Sequence, residues 1–97
     1  MKISIGSDHR GAAAVEHLVE HLREQGHEVE RLRAPGEQGC DYPEPAFAVS
    51  SSVAAGHTEL GVLVCGTGIG MSIAANKVHG IRAALVHDEL TARLAQP

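Results

Sequence analysis

The chain has 97 residues, 43% of them hydrophobic, a length that allows one domain with a small core. Only 2% of residues are aromatic and the formal net charge is −4, so the stacking surfaces and basic patches of a nucleic-acid binder are missing. Two cysteines are too few for a disulfide scaffold, and no apolar run approaches the ~20 residues that cross a bilayer; Met1-Lys2-Ile3-Ser4 opens straight into a strand-like run rather than a secretory leader, so a reducing cytoplasm is expected.

Residues 3–6 read as the first strand and 7–11 as a turn. Val15, Leu18, Val19 and Leu22 follow at the i, i+3, i+4, i+7 spacing that gives a helix one apolar face, and Gly26 ends it. His17 and His21 on this helix have the spacing of a metal pair, with Glu16, Glu20 and Glu24 around them, but they lie opposite the apolar stripe, on the face expected to be solvated. Residues 27–32 predict a second strand, partly polar through Glu28, Glu30 and Arg31, which suits an edge. A loop over 34–41 contains Pro35, Gly36 and Gly39.

Pro43 and Pro45 are tolerated in the first turn of a helix whose stripe is Ala46, Val49 and Val53 and whose end is Gly56. Residues 60–65 predict the third strand. A glycine-rich turn then leads into a helix reaching about Lys77, and Gly80 breaks it before a fourth strand at 81–86. His87-Asp88 forms a turn into a short last helix. Strands alternating with helices predict an α/β fold: a parallel sheet of about four strands between helical layers, joined by right-handed crossovers. Ligands of such sheets sit beyond the carboxyl ends of the strands, where Asp8-His9, Cys65-Gly66 and His87-Asp88 all fall.

The chemistry concentrates where the apolar run Val62-Leu63-Val64 stops at Cys65 and meets Gly66, Gly68 and Gly70. The glycines free the backbone to turn its N–H groups towards an anion. The loop is not a Walker A motif, because Met71-Ser72 stands where Lys-Ser/Thr belongs, and its spacing misses G-x-G-x-x-G. Asp88 follows at a distance compatible with a nicotinamide site, but no substrate domain accompanies it. Cys65 could simply fill the core at a strand end. A thiol at a helix start also faces N–H dipoles that favour the thiolate; it could then take a proton from carbon, with the N–H groups of residues 66–70 receiving the resulting oxyanion. Cys40 has no partner at recognisable spacing.

Ser7-Asp8-His9-Arg10-Gly11, Asp41-Tyr42-Pro43, the long stretch from Cys65-Gly66-Thr67-Gly68 through Asn76-Lys77, and Gly80-Ile81-Arg82-Ala83-Ala84-Leu85 resemble, in order and spacing, ribose-5-phosphate isomerase B and the related galactose-6-phosphate isomerase subunits. The resemblance spans essentially the whole chain. It implies a Rossmann-like three-layer sandwich and one sugar-phosphate isomerase domain over 1–97, interconverting ribose 5-phosphate and ribulose 5-phosphate without metal or organic cofactor. By the same resemblance Cys65 is the base, with Thr67 beside it, and Gly66, Thr67, Gly68, Ile69 and Gly70 hold the enediolate. Asp8 and His9 contact sugar and phosphate, and Tyr42 lines the pocket.

The departures are equally specific. The family's ring-opening histidine, its phosphate-binding arginines, its fifth strand and its C-terminal helix would all fall beyond Pro97, some arginines coming across a dimer interface. Arg10 stands where the family commonly has a small residue, and by the same resemblance it would crowd or recharge the phosphate end of the pocket. Two alternatives therefore stay open: a galactose-6-phosphate isomerase subunit, or an inactive sugar-phosphate-binding remnant. The expected partners are a small sugar phosphate and further copies of the chain, as a homodimer or higher homo-oligomer, since a sheet ending at 86 leaves an unpaired edge.

Overall fold

The computed structural model describes residues 1–8, 10–32, 43–66 and 69–95. Its elements are β1 (Lys2–Ser7), α1 (Ala12–Glu24), β2 (Glu28–Arg31), α2 (Pro43–Ala54), β3 (Leu60–Val64), α3 (Ile69–Asn76) and α4 (Glu89–Leu94). The three strands form a parallel sheet in the order β2-β1-β3. Ile3 is paired with both Val29 and Leu60, and Ser7 with Val64. β1 is central and covered on both faces, so every residue after Lys2 in it is buried; among the described residues β2 pairs on one side only, as its polar composition suggested.

Side-chain alternation assigns the layers. Ile5 and Val29 pack with Val15 and Val19 of α1, and Val62 and Val64 close that cluster from β3. On the other face α2 and α3 pack on the sheet and on each other, with Ala46, Met71 and Ala74 touching Leu63 and Cys65. Small residues permit this closeness: a Cβ on Gly61 would lie 2.6 Å from a methyl of Val49. Beneath α2, Ser4 Oγ and Thr58 Oγ1 are 2.9 Å apart, so the buried hydroxyl of the central strand is satisfied.

α1 ends before Gly26, and α2 before Gly56; both glycines have positive φ, 90° and 81°. α4 begins at a capping box, in which Asp88 Oδ1 accepts the Thr91 backbone N–H at 2.7 Å.

The expected fourth strand is a correction. Residues 81–86 join no ladder, and among the described residues β3 pairs only with β1. The apolar run is strand-like in composition, but a strand requires a backbone partner. Here the side-chain amide of Asn76 supplies one locally: its Nδ2 donates to the Ala83 carbonyl and its Oδ1 accepts the Ala83 N–H, both at 2.9 Å. Only Ile81 and Ala83 of this segment are half-buried, and the rest is exposed. The sandwich class stands with three strands.

Candidate active site

Strand order reverses at β1: the chain leaves it through α1 on one face, and leaves β3 through α3 on the other. Helices departing to opposite faces open a crevice beyond the carboxyl ends of adjacent strands. Ser7 and Val64 are register partners, so the next residues of each strand, Asp8 and Cys65, flank that crevice.

Cys65 is half-buried and forms no disulfide among the described residues. Its side chain leans on the Ala46, Met71 and Ala74 cluster, which shows that packing and access are both served here. Gly66 is exposed, and α3 starts at Ile69, with Gly70 half-buried. Within α3, Ser72 Oγ donates to the Ile69 carbonyl at 2.9 Å, and Asn76 Nδ2 reaches the Ser72 carbonyl at 2.8 Å. The motif thus begins at the thiol and ends at the amide that anchors Ala83.

Across the crevice Asp8 shapes the turn into α1. Its Oδ1 accepts the backbone N–H groups of Arg10 and Gly11, each at 3.0 Å. The hydroxyl of Ser7 is buried at the end of β1 and has no hydrogen-bond partner among the described residues. Of the other expected site residues, His9, Tyr42, Thr67 and Gly68 lie outside the described residues, as does Cys40. His17 and His21 are exposed, opposite buried Val15 and Val19, in agreement with a solvated face. His87 is exposed and sits 3.6 Å from Asp88 Oδ2.

Sequence reasoning missed one feature of the crevice. The resemblance sets Arg10 at the phosphate end of the pocket but not against the glycine turn; in the structure its guanidinium reaches over Gly66, with Nη1 3.9 Å from where a Cβ would stand. The sequence signal was a large cation in the Ser7-Asp8-His9-Arg10-Gly11 turn, where the family commonly has a small residue. Concavity alone would have pointed elsewhere. A hollow of about 250 Å³ lined by Lys2, Glu28, Glu30, His57 and Thr58 lies at the amino ends of the strands, at the opposite end of the sheet from Cys65.

A parallel sandwich with a thiol ahead of a helix start at its switch point belongs to the class of α/β folds that take ligands beyond the carboxyl ends of their strands. The comparisons narrow that class: residues 3–97 match the family model described as ribose/galactose isomerase, and the chain belongs to that family. Ribose-5-phosphate isomerase B of Escherichia coli is 42% identical over 95 residues, covering 98% of this chain and 64% of that protein. A galactose-6-phosphate isomerase subunit of Clostridium acetobutylicum is 45% identical over 96 residues, covering 99% and 56%. Among solved structures, ribose-5-phosphate isomerase B of Clostridium thermocellum superposes with a TM-score of 0.92 at 42% identity, covering 98% and 64%. The chain thus spans 56–64% of the length of these relatives.

Proposed function

We propose that residues 1–97 form a sugar-phosphate isomerase domain that interconverts ribose 5-phosphate and ribulose 5-phosphate. The observation that carries the reading is the position of Cys65: half-buried at the carboxyl end of β3, just before α3, across the switch-point crevice from Asp8. The Cys65 thiolate takes the proton from C2 of the open-chain aldose and returns it to C1. Meanwhile the hydroxyl proton on O2 passes to O1, so the carbonyl moves from C1 to C2 and the atoms balance. Backbone N–H groups of Gly66 through Gly70 stabilise the enediolate between these steps, with Thr67 beside the base. Asp8 and His9 hold the sugar and its phosphate, and Tyr42 lines the pocket. The route needs no hydride carrier. Two cysteines in the whole chain support a reducing, cytoplasmic setting. Among the described residues no helix is long and apolar enough to cross a membrane.

The test is turnover of ribose 5-phosphate by the purified chain and by Cys65→Ala. The variant should keep the wild-type circular dichroism spectrum and lose isomerisation by at least about a hundredfold. Near-normal turnover would remove Cys65 from the chemistry. A galactose-6-phosphate reading has support of its own in the 45% identity to the Clostridium acetobutylicum subunit. The ratio of kcat/KM for the two sugar phosphates decides between them.

A further inference from the structure

Arg10 leaves a turn that is itself pinned, because Asp8 Oδ1 holds the backbone N–H groups of Arg10 and Gly11. From there the side chain crosses to the end of β3. Its Nη1 and Cδ lie 3.9 and 4.0 Å from the position a Cβ on Gly66 would occupy, and the missing side chain at residue 66 leaves the guanidinium room over the peptide that follows Cys65. Among the described residues no carboxylate pairs with it. Arg31 and Arg93, by contrast, are matched to Glu16 and Glu89. A guanidinium keeps its charge at any physiological pH. Here it is placed beside Gly66, ahead of α3, whose N-terminus carries the positive end of the helix dipole.

We infer that Arg10 is an anion-binding residue of the Cys65 site and receives the phosphate ester of the sugar substrate. This rests on the reading that the substrate is a sugar phosphate. Depth within the crevice selects the phosphate over the reacting carbons: Cys65 is half-buried, whereas Arg10 is exposed and meets the part of a ligand nearest solvent. A phosphate dianion also matches the planar fork of a guanidinium, which donates two parallel N–H bonds.

Alkylation of Cys65 tests this without reference to turnover. Wild type, Arg10→Ala and Arg10→Lys are treated with iodoacetate, an anion, and with neutral iodoacetamide, and modification at Cys65 is separated from that at Cys40 by peptide mass spectrometry. Arg10→Ala should slow iodoacetate about three- to tenfold while changing iodoacetamide less than about twofold, and Arg10→Lys should restore the wild-type ratio. Inorganic phosphate and ribose 5-phosphate should each protect wild-type Cys65 at concentrations at least about tenfold lower than they protect Arg10→Ala. An iodoacetate-to-iodoacetamide ratio unchanged in Arg10→Ala overturns the anion site. A changed ratio with ribose 5-phosphate protecting both proteins equally overturns the phosphate assignment. Turnover measured in parallel can fail alone, which would sink the isomerase reading and leave the alkylation result standing.

Discussion

Gly11 sits where β1, β3 and the start of α1 converge. A Cβ there would lie 2.8 Å from the Val64 carbonyl oxygen and 2.9 Å from the Ser7 Cβ, and the first of these is backbone that cannot swing aside. Gly11→Ala should therefore destabilise the chain by about 1–3 kcal/mol, as overpacking does elsewhere. It should also disturb Asp8 and Arg10, since the same turn positions both. Urea unfolding reads the first effect; a midpoint unchanged from wild type would mean that the strand ends part freely, contrary to this packing. The need for glycine at position 11 was only half legible. Its place in a turn followed from Ser7-Asp8-His9-Arg10-Gly11, but the collision with Val64 depends on a strand more than fifty residues away in sequence. Cys65 was more legible, because a thiol between an apolar run and a glycine turn is a local pattern. The reach of Arg10 over Gly66 was not, since it depends on the path of one long side chain across two elements.

Helices and strands divide in the same way. α1 was legible because Val15, Leu18, Val19 and Leu22 keep helical spacing and have one sheet face to cover; β2 was legible as an edge because Glu28 and Glu30 could not both be buried. Residues 81–86 misled because composition reports strand propensity but not the partner, and Asn76 occupies the backbone groups of Ala83. Next in the chain, α4 depends on its cap. The backbone N–H of Thr91, and then its hydroxyl, hold the Asp88 carboxyl below the ordinary aspartate value of 3.8. A group whose pKa is depressed on folding stabilises the fold above its unfolded value and loses that contribution as pH falls through the folded value. Acidification below pH 3.8 should accordingly fray α4 first, read as faster exchange at the Thr91 amide while β1 amides remain protected. Asp88→Asn should keep the cap and flatten that pH dependence, because asparagine caps helices comparably. An equally steep loss in Asp88→Asn would place the pH sensitivity elsewhere.

Burial in the whole molecule is lopsided. Among the described residues the buried apolar side chains run from Ile3 to Ala75, and none comes from beyond. Exposed large apolar side chains lean the other way: apart from Met1 and Phe47, those among the described residues are Leu60, Ile69, Ile73, Leu85, Val86, Leu90 and Leu94, all in β3 or later. Ile69 and Ile73, like Leu90 and Leu94, are four apart on their helices, so each pair shares a face. Among the described residues β3 also has no strand partner on the side away from β1, which leaves an edge there. Apolar surface and a free edge in the same half of the molecule both lose free energy to water and both gain from a second copy. Self-association is therefore expected, through the β3 side rather than the polar β2 side. If it supplies the missing burial, the melting temperature should rise with protein concentration, by about 3 °C per tenfold for a dimer of this chain length. Leu90→Glu and Ile73→Glu place charge on surface that is already exposed at 64% and 56%, so they should leave the monomer fold intact. Both should remove the concentration dependence. A wild-type monomer by light scattering, melting at one temperature across a hundredfold range of concentration, would show that this surface stays in water and that β3 tolerates its free edge alone.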